Sequence, residues 1–146
     1  MSSKNTNLSN IRLGVLGAGK SGISASRLAS HLGLNVLLSD SNNIDKIDLK
    51  GIQTEFGGHS KKVLESDIII KSPGIPNNVD IIKNANSKKI PIISEIEFAS
   101  WFTNSPIIGV TGSNGKSTTV SLIHNIFSKA GYNSMLGGNI GIPFSE

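Results

Sequence analysis

The chain of 146 residues has no cysteine, a single tryptophan and a single tyrosine, and no apolar run near the roughly 18 to 20 residues that cross a bilayer. Without cysteine there is neither a disulfide nor a thiolate metal site, which fits a reducing compartment. The opening stretch MSSKNTNLSN is polar and lacks the apolar core of a secretory signal. A soluble, cytoplasmic protein with no membrane partner is the expectation. Aromatic residues make up only 5% of the chain, so the base-stacking surface of a nucleic-acid binder is missing. The net charge of +4 does not replace it, because the lysines are scattered and form only the doublets Lys61-Lys62 and Lys88-Lys89. Such a pattern reads as a solvated surface. Metal-ligand spacing is also absent around His31, His59 and His124; the first two read as surface histidines at a helix end and in a loop, and His124 lies on the helix after the second glycine turn.

What is present is a repeated unit of short apolar run, glycine turn and helical stretch. IRLGVLG (11–17) predicts a strand, and KSGISASRLASHLG (20–33) a helix, with Ile23, Leu28 and Leu32 near helical spacing. LNVLLSD (34–40), DIIIK (67–71) and IPIIS (90–94) predict three more strands, the third run being broken by Ser72-Pro73-Gly74. Continuous apolar strands alternating with helices predict a parallel sheet covered on both faces. Ser94 and Glu97 have capping-box spacing before a short helix through Phe98 and Trp101, so Glu95 and Glu97 read as acids at a helix start and not as an acid/base pair. Trp101 and Phe102 are expected to pack at a domain junction. After TNSP (103–106) a new strand, PIIGVTG, is expected to lead into a second glycine turn and a helix over 117–130. The expected organisation is a polar tail (1–10), an α/β domain (11–104) and the beginning of a second (105–146).

Both glycine turns have the composition of phosphate cradles. GVLGAGKSG (14–22) matches two patterns at once: G-x-G-x-x-G through Gly17, Gly19 and Gly22, and the formal triphosphate loop through Gly14, Gly19, Lys20 and Ser21. Asp40 falls about twenty residues beyond the glycines, where a dinucleotide-type fold places the acid that holds a ribose or a neighbouring group, and this favours the first pattern. TGSNGKST (111–118) fails the strict triphosphate pattern, because Val110 stands where a glycine is required. It nevertheless keeps the GKS core in strand-to-helix context. Backbone amides of Gly112, Ser113, Asn114 and Gly115 would approach phosphate oxygens, and Lys116 would reach the β- and γ-phosphates. Ser117 has the position of a Mg²⁺-coordinating hydroxyl, with Thr118 a further donor. Two nucleotide-type loops point to an enzyme that spends a triphosphate on a substrate with its own diphosphate handle; an NAD-type binding module is the alternative.

TGSNGKST, with GGNIGIP (137–143) behind it, SPGIP, ISEIEF and GAGKSG together resemble the Mur ligases of peptidoglycan synthesis over residues 11–144. Within that family the set is most similar to the ligases that join D-glutamate to UDP-N-acetylmuramoyl-L-alanine. The resemblance implies a Rossmann-like first domain that holds UDP instead of NAD, through Lys20, Ser21, Ser41, Asn42 and Gly74, with Asn139 between the two nucleotides. It implies ATP and Mg²⁺ as cofactors, Lys116 as the catalytic lysine, and a monomeric full-length enzyme. The family's later metal-binding acid and histidine, its modified lysine and its amino-acid-binding domain have no counterpart in this sequence, so the chain alone is expected to be inactive as a ligase. Another ligase of the superfamily, acting on the muramoyl tripeptide or on folylpolyglutamate, is a further alternative.

Overall fold

The computed structural model describes residues 10–45, 47, 49–138 and 141–146. Five parallel strands form one sheet: β1 (Arg12–Leu16), β2 (Asn35–Asp40), β3 (Gln53–Phe56), β4 (Ile68–Lys71) and β5 (Ile92–Ile93). Their spatial order is β3-β2-β1-β4-β5. The chain winds outward from β1 to one edge, then returns across it to β4 and β5. That reversal opens a crevice at the carboxyl ends of β1 and β4, the position where open α/β sheets bind ligands.

The strands are built from β-branched and leucine side chains that alternate between two cores. Leu13, Val15, Val36, Leu38 and Ile70 face helix α1 (Lys20–His31) and helix α3 (Glu95–Ser100), with Phe98 of α3 filling the same layer. Leu16 and Ile69 face the opposite way, against Val63 of the 3₁₀ turn Lys61–Glu65 and against Ile81, Ile82 and Ala85 of α2 (Asp80–Ser87). Each such large side chain contributes about 1.5 to 3 kcal/mol of transfer free energy. This burial on both faces is why the strands read as unbroken apolar runs.

Two features depart from the sequence reading. β3 is not among the expected strands: its QTEF is an edge strand with Gln53 and Thr54 exposed and no apolar run. The strand expected at PIIGVTG does not form; residues 106–112 have neither helix nor strand, and Ile107 and Ile108 are half exposed. A strand is stabilised by hydrogen-bonded neighbours. No described residue beyond β5 supplies one, and β5 itself pairs only with β4. Helix α4 (Lys116–Lys129) does form, at the expected place, but buries none of its residues, leaving Leu122, Ile126 and Phe127 exposed.

Ser94 caps α3 as expected, its Oγ accepting from Glu97 N at 3.1 Å. The return bond from the Glu97 side chain is not made among the described residues, and Glu95 is buried. Trp101 and Phe102 stack edge-on against Phe98 at 5.9 and 5.2 Å between ring centroids and remain about half exposed, so they close the end of the first core.

Gly22 is the tightest point where helix meets sheet, since a Cβ there would run into the carbonyl oxygen of Gly17. Gly22→Ala is therefore expected to cost about 2 to 3 kcal/mol by overpacking. A urea titration of the two proteins checks this, and an unchanged midpoint would remove Gly22 from the packing account.

Candidate functional site

The first glycine turn is held open by the sheet beneath it. Gly17 has φ +94°, and its amide donates to Ser39 O at 2.8 Å. A side chain here would meet Ser72 Oγ at 2.7 Å, so only glycine fits between the β1 and β4 ends. Gly14, the leading glycine of the formal triphosphate pattern, lies inside β1 between Leu37 and Ile69. It packs against Ser66 and belongs to no loop. α1 begins at Lys20 with Gly19 as its cap residue, no side-chain cap and no acid in its first turn. Its free amides and positive dipole end therefore face the crevice.

Asp40 ties this turn to the next. Oδ2 accepts from Ala18 N at 2.7 Å and Oδ1 from Asn42 N at 2.8 Å. Burial, the largest single influence, opposes its charge, but the bonds from Ala18 and Asn42 together with nearby His59 outweigh it and hold the carboxyl below its ordinary value. With nine-tenths of its surface covered, the carboxylate braces two loops and is not presented as a free ribose acceptor.

A polar network that the sequence did not reveal lies under the same edge. Ser39 Oγ donates to Glu55 Oε1 at 2.7 Å and lies 2.7 Å from His59 Nδ1. Glu55 also accepts from Ser60 N at 3.0 Å and Ser60 Oγ at 2.6 Å. Desolvation again opposes the charge, and the Ser60 and Ser39 bonds again win, so Glu55 too is held below its ordinary value. His59 is thus not a plain surface histidine: it is half-buried and belongs to this network. Because the single Ser39 hydroxyl proton goes to Glu55, Ser39 can only accept from His59, which assigns the proton to Nδ1. Gly57 and Gly58 donate to the carbonyls of Asn42 and Asp40, which joins this loop to the turn after β2.

The residues singled out in the first domain converge. Lys20 and Ser21 open α1, Ser41 and Asn42 follow β2, and Gly74 lies in the turn after β4, so all five occupy the carboxyl edge of the sheet. Lys20, Ser41, Asn42 and Gly74 are exposed there. Gly112 to Thr118 form a separate exposed loop at the start of α4, where Gly115 has φ +78° and no side chain caps the helix. Lys116 Nζ folds back on the carbonyl oxygens of Gly112 and Ser113. Asn139 lies outside the described residues. His124 pairs with Ser134 Oγ at 3.0 Å, and His31 ends α1 in solvent. No group of three or more acids or histidines suited to a metal occurs among the described residues, and none of their helices is long and apolar enough to cross a membrane.

A parallel sheet with helices on both faces, a glycine turn and a switch-point crevice define an open α/β module of the doubly wound kind. The family model for the Mur ligase MurD-like N-terminal domain matches residues 12–94, and the chain belongs to that family. It is 48% identical over 136 residues to a UDP-N-acetylmuramoylalanine–D-glutamate ligase of Bacteroides fragilis, which covers 89% of this chain and 31% of the relative. The same-named ligase of Chlorobaculum tepidum is 43% identical over 141 residues, covering 90% and 30%. The chain thus spans about a third of the length of these curated relatives. Among solved structures, a murein peptide ligase from Psychrobacter arcticus superimposes with a TM-score of 0.59 at 24% identity, covering 84% of this chain and 27% of that one. A UDP-N-acetylmuramate–alanine ligase from Thermotoga maritima gives 0.53 at 21%, covering 83% and 30%. These two likenesses concern the fold.

The lowered carboxyls set the acid limb of stability. Each contributes fully above its unfolded value, 3.8 for Asp40 and 4.5 for Glu55, and the contribution is lost as pH falls through the lower folded value. Asp40→Asn and Glu55→Gln should each flatten the fall in stability between about pH 5 and pH 2. Urea midpoints across that range test this, and an acid limb as steep as that of the parent chain would count against the carboxyl assignments.

Proposed function

We propose that this chain is the substrate-holding N-terminal part of an ATP-dependent amide ligase of peptidoglycan precursor synthesis, one that adds D-glutamate to UDP-N-acetylmuramoyl-L-alanine. The observation that carries this reading is the Asp40-braced glycine turn at the switch point of a sheet that belongs to the MurD-like family. The name shared by the relatives from Bacteroides fragilis and Chlorobaculum tepidum supplies the two substrates.

On this reading the diphosphate lies over the α1 amides with Lys20 and Ser21 beside it, and the uridine is held by Ser41, Asn42 and Gly74, with Asn139 toward the rest of the substrate. ATP lies on the Gly112–Thr118 loop, where Ser113, Asn114, Gly115 and Thr118 offer donors. The alanyl carboxylate attacks the γ-phosphorus, ADP leaves, and the D-glutamate amine then displaces phosphate to form the amide. Lys116 moves from the Gly112 and Ser113 carbonyls to the β- and γ-oxygens, where its charge offsets that of the transferring phosphoryl group. Ser117 supplies one hydroxyl, which suits Mg²⁺ because that ion keeps waters and phosphate oxygens as its other ligands. When bound, the ion neutralises phosphate charge.

An NAD-type binding module is disfavoured by Asp40, which is nine-tenths buried and is turned inward onto Ala18 N and Asn42 N. Calorimetry on the 146-residue chain separates the two readings: UDP should bind, NADH should not, and Lys20→Ala should weaken UDP by about tenfold, the loss of one charge-assisted contact. NADH binding, or UDP binding indifferent to Lys20, would overturn the proposal. For the second loop, Lys116→Ala should abolish the calorimetric response to ATP·Mg²⁺; a response retained in that variant would remove Lys116 from the triphosphate site.

A further inference from the structure

Glu95 is a buried carboxylate that the proposed chemistry leaves without a role. It opens α3, is 5% exposed, and its Oε1 accepts from Ser145 N at 2.5 Å across 50 residues of sequence. Ser145 is itself buried, and its Oγ donates to Ser24 Oγ of α1 at 2.9 Å. Ser24 is 2% exposed, so both bonds are made away from water. Just before Ser145, Ile142 forms a bridge with Gly137, and its carbonyl accepts from Gly138 N at 2.9 Å. A Cβ on Gly138 would lie 3.8 Å from Ile96 Cδ1, so this segment also runs alongside α3.

The chain between these anchor points is otherwise weakly held. Residues 103–115 contain no helix or strand, and α4 buries no residue. A helix attached only through such a linker samples many placements, whereas a second attachment point on the far side removes most of them.

We infer that Glu95 is a positioning residue: with Ser24 and Ser145 it forms a clasp that closes the loop bearing residues 112–118 and α4 back onto the α1/α3 face. The purpose of the clasp rests on the proposed function, because phosphoryl transfer from ATP to the carboxylate of a UDP-linked substrate requires a fixed placement of one nucleotide site against the other. Its existence does not. A carboxylate is suited to the task, since a buried charge-assisted bond to a backbone amide is stronger than a neutral one and is lost when either partner leaves.

The test is backbone ¹⁵N relaxation and amide exchange on the 146-residue chain. In the parent chain α4 amides should tumble with those of β1 and β4, and the Ser145 amide should be protected from exchange. Glu95→Ala should give α4 a shorter apparent correlation time than the sheet and lower Ser145 protection by about tenfold or more, as expected for losing a charge-assisted bond. Glu95→Gln, which keeps an acceptor oxygen but not the charge, should restore both in part. Ser145→Pro removes the donor from the other end, leaves α3 untouched and should loosen α4 as Glu95→Ala does, which covers the case in which the alanine variant does not fold. α4 that already tumbles independently in the parent chain, or that stays coupled to the sheet in both Glu95→Ala and Ser145→Pro, would overturn the clasp. If UDP fails to bind while α4 is released by these variants, the clasp stands and the nucleotide reading falls.

Discussion

The carboxylate of Asp40 is the point on which the candidate site depends. It lies at the end of β2, accepts Ala18 N from the turn after β1 and Asn42 N from the turn after β2, and so locks two loops that have no ladder between them. A charge can do this because backbone amides at loop ends need partners and a buried acid needs donors. Asparagine, neutral and of the same size, has one acceptor oxygen and would leave one of the two turns without its partner. The glycines then follow from the same constraint: once Ala18 is held toward Asp40, Gly17 is forced to positive φ beside Ser72, and Gly22 has to let the Gly17 carbonyl pass.

The second polar layer has a related logic. Ser39 is fully buried in β2, and its one hydroxyl proton is directed to Glu55, which leaves its lone pair to His59. The edge strand β3 is thereby fastened to its neighbour by side chains as well as by the ladder, and the loop after β3 is drawn over the turn that carries Ser41 and Asn42. An edge strand with little apolar surface needs such support, because its few hydrophobic contacts contribute less than those of β1 or β4. Glycine at 57 belongs to the same fastening, as a side chain there would strike Asn43.

The two halves of the chain differ in what holds them. Residues 11–102 carry both hydrophobic cores, whereas α4 leaves Leu122, Ile126 and Phe127 in solvent. Its fourteen residues have the composition and the glycine start of a phosphate-binding helix, yet its local structure is not supported by burial. For such an element the tethers at its ends, and not a core of its own, govern where it lies. The Glu95 clasp therefore bears more on the relation between the two loops than any contact within α4.

The sequence by itself determined the central strands, α1, α4 and the positions of both glycine turns, because apolar runs of strand length and glycines at loop spacing act locally and need no partner to be recognised. Lys20, Ser21, Ser41, Asn42 and Gly74 came from the family resemblance and not from composition; the fold adds that all five lie along one edge of the sheet. Tertiary structure alone decided the rest. β3 exists because β2 offers it a ladder, and the expected strand at 106–112 does not exist because no neighbour offers one. Asp40, read as an acid beside the ribose or a neighbouring group, braces two turns, and Glu95, which does stand at the start of α3, also accepts from Ser145 N. Their partners lie 22 and 50 residues away, and a hydrogen bond across such a separation leaves no periodicity in the sequence.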